Sequence, residues 1–216
     1  MKEFKSLKEH VYDYIAEQIH EGKLLPSQRI NETAISQELS VSRTPVREAL
    51  IQLSCEDILE NLPRKGFLLK PVTEKEAIDL YQLIGHLDGM AAKNSCLRLD
   101  EKDLDRMSFY IESMNLAIST NNYEMYFEQQ ELFHNTYIDK CNNQILIDTI
   151  SRLKSKFFKR GIRSNNREYN YNLLYSINEE HRKILKLFKE KDSEELFLYL
   201  TNIHWSPEHA HNEIIE

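Results

Sequence analysis

The sequence has 216 residues, 28 Lys/Arg against 35 Asp/Glu for a formal net charge of -7, and 41% hydrophobic residues. That length fits one large or two small domains with enough apolar material for a core, and a mean hydropathy of -0.58 is that of a water-soluble chain. No run approaches the roughly 20 apolar residues of a spanning helix, and the start MKEFKSLKEHVYDY lacks the apolar stretch of a secretion signal, so a cytoplasmic location is expected. Cys55, Cys96 and Cys141 stand far apart and in no CxxC spacing, so neither a disulfide framework nor a zinc knuckle is indicated. Charge is unevenly spread. Up to Val72 ten basic residues face eleven acidic ones, while the rest of the chain carries 18 against 24, so the acidity belongs mainly to the second part.

In chain order, Leu7, Val11, Tyr14, Ile15 and Ile19 fall at the spacing of one apolar helix face, and Gly22 is a natural stop. After the Pro26 loop, Asn31 can cap a second short helix through Leu39, with Ala34, Ile35 and Leu39 on its inner face. Ser40-Val41-Ser42 makes a tight turn. Ser42 can then accept a hydrogen bond from a first-turn amide of a third helix whose apolar stripe is Val46, Ala49, Leu50 and Leu53, with Pro45 tolerated in its first turn. Two short helices joined by such a turn, the second with a basic start, form the helix-turn-helix pattern. The apolar runs Ile58–Leu62 and Phe67–Pro71 flank Pro63-Arg64-Lys65-Gly66, which reads as a β-hairpin with a basic tip, the wing of a winged helix.

Thr73-Glu74-Lys75-Glu76 is a capping box that opens a new helical pattern, which places a domain boundary at about Val72. Six helices are expected beyond it: 73–97, 100–119, 122–140, 143–163, 168–190 and 193–205, broken at Asp100, Asn121-Asn122, Asn142-Asn143, Ser164-Asn165-Asn166 and Asp192. The expected fold is therefore mostly α: a winged helix-turn-helix over 1–72, then an all-α helical bundle over 73–216.

Val41-Ser42-Arg43-Thr44-Pro45-Val46-Arg47-Glu48-Ala49-Leu50 resembles the recognition-helix signature of the GntR family of bacterial transcription regulators. Val11-Tyr12 and Gly22-Lys23-Leu24 before it, and Leu62-Pro63-Arg64-Lys65-Gly66 after it, stand in that family's order and spacing, although Leu25-Pro26-Ser27 replaces a common Pro-Gly. The helical remainder is similar to the FadR-type (FCD) ligand-sensing domain through Phe133-His134, Asn143, Glu180-His181 and Asp192. The resemblance implies a homodimeric repressor that reads an inverted-repeat operator in double-stranded DNA and responds to a small organic effector. The residues fit that task on their own chemistry. Arg43 and Arg47 lie four apart on one helix face, and each arginine can donate a bidentate pair to guanine O6 and N7 in the major groove. Ser42 and Thr44 hydroxyls and the helix-start amides suit phosphate oxygens, and Arg64, Lys65 and Gly66 at the hairpin tip suit phosphate or plain solvation.

In metal-binding members of the FadR type, an Asp and a His one turn apart join two later histidines around a divalent cation. The resemblance thus points to His134, His181 and His204, with Zn or Ni as the cofactor; each lies on an apolar stripe of its helix. Three departures stand against it. Gln130 occupies the Asp position, Ile84 replaces an arginine that commonly meets an effector carboxylate, and the interval from Asp192 to His204 is one residue longer than usual, a rotation of about 100° on an ideal helix. Histidines that satisfy core hydrogen bonds or line a metal-free pocket remain the alternative; His209 and His211 beyond Pro207 read as solvated tail residues. A ligand-free dimeric repressor is the alternative reading, and a helical metalloenzyme fused to a DNA-binding module the competing class, but no HExxH, GxSxG or Gly-rich phosphate loop is found.

Overall fold

The structure is a computed structural model that describes residues 6–20, 23–156 and 167–213, the side chains of His20, Arg167 and 211–213 excepted. The expected helix stop at Gly22, the helix end at Arg163, the break at Ser164-Asn165-Asn166 and the side chain of His211 lie outside the described residues. The chain divides into two compact units, the first made mainly of the residues up to Val72, with a later helix end from Lys154 grouped with it, and the second mainly of those from Thr73 onward. No described helix is long and apolar enough to cross a membrane.

The first unit holds α1 (Leu7–His20), α2 (Glu32–Glu38), α3 (Arg43–Cys55) and an antiparallel hairpin of β1 (Leu59–Leu62) and β2 (Gly66–Leu69) in register Leu59 to Leu69. Val11, Ile15 and Ile19 of α1 are fully buried against Val46, Ala49, Leu50 and Leu53 of α3, and burial of that kind contributes about 1.5–3 kcal/mol for each Val, Leu or Ile. Two expected inner positions are outside: Leu7 precedes the first core contact and Ala34 is exposed, so α2 is anchored by Ile35, with Leu39 half-buried. Asn31 caps α2 by accepting from the amides of Thr33 and Ala34. The hydroxyl of Tyr12 on α1 donates to Glu56 at the end of α3 at 2.7 Å. Burial and then that carboxylate push its phenol well above the ordinary tyrosine range.

The hairpin has a third partner that the sequence did not announce. Ile30 N–H donates to Phe67 O at 2.9 Å and Ser27 N–H to Leu69 O at 2.8 Å, so the extended stretch before Asn31 lies along the outer side of β2. At the tip, Lys65 N–H bonds Leu62 O while Arg64 takes φ 66, the left-handed region that costs a non-glycine residue about 1 kcal/mol, and Gly66 follows at φ 79.

The second unit contains α4 (Glu74–Ser95), α5 (Glu101–Ser119), α6 (Tyr123–Ile138), α7 (Gln144–Ser155), α8 (Arg167–Glu190) and α9 (Ser193–Tyr199). Capping boxes at Thr73 and Asp100 start α4 and α5, and Asn122 and Asp192 cap α6 and α9 through their side chains. Asn143 accepts from Leu146 N–H at the start of α7. Its core is aromatic, with Tyr126, Phe133 and Tyr137 of α6 and Phe188 of α8 fully buried. Asn178 of α8 donates to the Ile111 carbonyl and to Asn115 of α5, a polar tie inside the bundle.

The last expected helix is not uniform. It runs as α9 to Tyr199 and then widens over Leu200–His204 into a π turn, in which Trp205 N–H reaches Leu200 O, five residues back, at 3.0 Å. A short 3-10 segment, Pro207–Glu213, follows, and in it His209 is half-buried rather than solvated.

Candidate functional site

The first candidate surface is the start of α3. Val46, Ala49, Leu50 and Leu53 take the buried stripe, and helical periodicity then forces Arg43, Thr44 and Arg47 outward; all three are exposed, with Ser42 ahead of them. The turn between α2 and α3 is held by Ser36, whose hydroxyl donates to Val41 O at 2.6 Å, and by Val41 N–H to Ser36 O. Ser40 takes φ 53 there. Ser42 corrects the sequence reading: it occupies the N-cap position with the extended backbone (ψ 164) that Thr73 and Asp100 also have, but its side chain makes no capping hydrogen bond, because that backbone does not fix the rotamer of the hydroxyl. The N-terminal amides of α3 and the Ser42 hydroxyl are thus left to outside acceptors. Arg64 and Lys65 are exposed at the hairpin tip, and Gly66 is half-buried beside Arg29.

The second candidate site is buried in the helical unit. His134 of α6, His181 of α8 and His204 of the π turn present their Nε2 atoms to one another, at 3.3 Å for His181 to His134 and 3.2 Å for His204 to His134. The interval from Asp192 to His204, expected to be one residue longer than usual and so to turn the imidazole by about 100° on an ideal helix, ends in the π turn, and His204 faces the other two. The turn has a built seat. Gly85 and Gly89 of α4 let it approach so closely that a Cβ on Gly85 would stand 2.8 Å from Trp205 Cβ and one on Gly89 3.0 Å from Thr201 Oγ1. Thr201 also donates to the Gly85 carbonyl.

Two of the imidazoles, His204 and the central His134, are oriented from behind. His204 Nδ1 lies 2.8 Å from Glu180 Oε2, one residue before His181 on α8. His134 Nδ1 lies 2.6 Å from the Tyr137 hydroxyl and 3.2 Å from Asp88 Oδ2, while that hydroxyl donates to Asp88 Oδ1 at 2.7 Å and Trp205 Nε1 donates to Asp88 Oδ2 at 2.7 Å. A hydroxyl that donates to Asp88 can only accept from His134, which puts the ring proton on Nδ1 and leaves a lone pair on Nε2. Burial first, and then the Asp88 carboxylate, hold the Tyr137 phenol well above its usual range, so it stays a donor.

Such a cluster fits a cation. Two nitrogens bound tetrahedrally to zinc at about 2.0–2.1 Å stand about 3.3–3.4 Å apart, close to the spacings here, and lone pairs this near one another repel unless a cation or proton lies between them. Gln130 is half-buried one turn before His134 on α6, and its neutral amide adds no charge. Ile84 is fully buried on α4.

Sequence reasoning missed Asp88, Tyr137 as its relay, and Trp205. A signal for Asp88 existed: Ala77, Tyr81, Ile84, Asp88, Ala91 and Ser95 fall on one helix face, and a carboxylate in the middle of an apolar stripe needs buried donors. Nothing in the sequence alone named which donors.

Comparison with known proteins agrees with both halves. Residues 7–69 match the family described as bacterial regulatory proteins, gntR family, and residues 79–202 match the FCD domain. The Nta operon transcriptional regulator of Aminobacter aminovorans is 27% identical over 171 residues, 79% of this chain and 78% of its own length. The gluconate operon transcriptional repressor of Bacillus licheniformis is 28% identical over 182 residues, 81% of this chain and 71% of its own. Among solved structures, McbR/YncC of E. coli superposes with a TM-score of 0.77 at 24% identity, covering 93% of this chain and 94% of that one, which establishes a shared fold.

Proposed function

Because the chain belongs to the GntR family of bacterial regulatory proteins, with an FCD domain behind its winged helix, we propose that residues 1–72 read an operator as half of a homodimer and that residues 73–216 bind a metal and a small organic effector. The chain is a DNA-binding transcriptional regulator, and the relatives it matches are regulators and repressors by name. Repression of a promoter from an inverted-repeat operator, in the cytoplasm, is the mode proposed for it. The observation that carries the DNA assignment is the exposed pair Arg43 and Arg47 on a helix whose opposite face is entirely core. In this role both arginines enter the major groove, Ser42, Thr44 and the uncapped amides meet phosphate, and Arg64, Lys65 and Gly66 carry the wing to the adjoining backbone. One module makes few base contacts, so a two-fold dimer on paired half-sites supplies the affinity a specific site needs.

His134, His181 and His204 are the residues that hold the cation in this reading, supported by their Nε2 spacing. When bound, such a cation supplies Lewis acidity and open coordination positions to an anionic effector group. The imidazoles remain neutral ligands, and the bundle core around them excludes water. Selection of binding sites from random duplex DNA, followed by titration of the recovered sequence, tests the function: enrichment of an inverted repeat that binds the unaltered protein and not an Arg43→Ala, Arg47→Ala double variant supports it, and no enrichment over input contradicts it.

A further inference from the structure

The carboxylate that this sensor lacks at position 130 has a counterpart on another helix. Asp88 of α4 is fully buried, and a buried carboxylate is tolerated only where donors surround it. It accepts from Tyr137 and Trp205 at 2.7 Å each and faces His134 Nδ1 at 3.2 Å, so one side chain ties α4 to α6 and to the residue that ends the π turn. It stands on the far side of the His134 ring from the point where the three Nε2 atoms meet. It therefore cannot touch a cation held there, and acts only through the imidazole.

We propose that Asp88 is the positioning residue of the histidine centre: through Tyr137 it fixes the Nδ1–H form of His134, and it supplies from one layer outside the negative charge that Gln130 does not supply directly. This rests on the metal reading of the three histidines. A divalent cation held by three neutral imidazoles would leave two uncompensated positive charges in an apolar bundle. Asp88 behind His134, at 3.2 Å, and Glu180 behind His204, at 2.8 Å, offset them from one layer outside. The same contact makes the π turn part of the site. Trp205 reaches Asp88 because the widened turn places it there, so the charge that orients His134 also pins the segment that carries His204.

The test uses the full chain, freed of metal with a chelator and titrated with zinc. Asp88→Asn is nearly isosteric and removes the charge; its zinc affinity is expected to fall about 10- to 100-fold, the usual effect of losing an outer-layer carboxylate. Tyr137→Phe keeps the charge and removes the relay, and a smaller loss is expected. Zinc uptake by the unaltered chain with equal affinity in Asp88→Asn overturns this inference alone, whereas no uptake by the unaltered chain overturns the metal reading and this inference with it. If Asp88→Asn does not fold, the imidazole nitrogen NMR shifts of the unaltered, metal-free chain decide. His134 protonated at Nδ1 supports the role given to Asp88, and His134 protonated at Nε2 contradicts it. Packing alone would not move that signature.

Discussion

Arg43 and Arg47 owe their place to one helix of 13 residues, while His134, His181 and His204 are brought together from three segments with sequence separations of 47 and 70 residues. The first surface is exposed and local: once the stripe Val46, Ala49, Leu50 and Leu53 is buried, the arginines have only one side to occupy. The histidine centre is buried and non-local, so its geometry depends on helix register, on two glycines that admit a π turn, and on a carboxylate nobody would pair with it by position. A local motif can be transferred by spacing alone. A convergent site cannot, because one inserted residue is a 100° error on an ideal helix and no error at all when a π turn absorbs it.

The largest effects separate the two regions. Arg43→Ala and Arg47→Ala are each expected to cost about 1–3 kcal/mol in specific operator binding, about 5- to 150-fold in Kd, and to leave zinc affinity unchanged. Lys65→Ala is expected to weaken all sequences alike and to flatten the salt dependence instead. Titrations on the operator and on a base-substituted copy check both, and a base-specific loss in Lys65→Ala would move the wing from phosphate to base contact.

Gly85→Ala acts on the other region. Its Cβ would overlap Trp205 Cβ at 2.8 Å, so about 1–3 kcal/mol of stability is expected to be lost from the helical unit, with zinc affinity falling alongside because His204 is displaced. Thermal melts with and without zinc check this. Arg64→Gly probes the hairpin tip, where φ 66 strains the arginine: stability is expected to rise by about 0.5–1 kcal/mol while operator affinity falls, the sign of a residue kept for contact rather than fold.

The smallest expected effect is the most informative about the turn. Deleting exposed Asn202 shortens the interval from Asp192 to His204 by one residue and allows the segment to run as a plain α-helix. His204 then keeps its facing, and zinc affinity is expected to stay within about threefold of the original, as for a π bulge that arose by insertion. A complete loss of binding would mean that the widened turn itself, and not only the direction of His204, is required.

Much of this architecture was legible in the sequence for physical reasons that can be stated. The helices and the hairpin follow from apolar periods of 3.6 and 2 and from Asn31, Thr73, Asp100 and Asp192, whose side chains do cap as their chemistry suggests. Ser42 did not, since the N-cap position fixes φ and ψ but not the rotamer of its hydroxyl. The pairing of Arg29 with Leu68 was hidden because a single bridge leaves no alternation to detect. Asp88 was visible as an anomaly and invisible as a partner: a lone carboxylate on an apolar stripe announces buried donors, but Tyr137 and Trp205 lie 49 and 117 residues away.

Native mass spectrometry of the purified chain, before and after treatment with a chelator, shows whether His134, His181 and His204 hold a metal in a dimer. A dimer that carries one divalent metal per chain, loses it to the chelator, and takes up zinc again when it is returned is expected. A chain that never retains a metal, with zinc in excess and His134, His181 and His204 intact, would contradict that expectation.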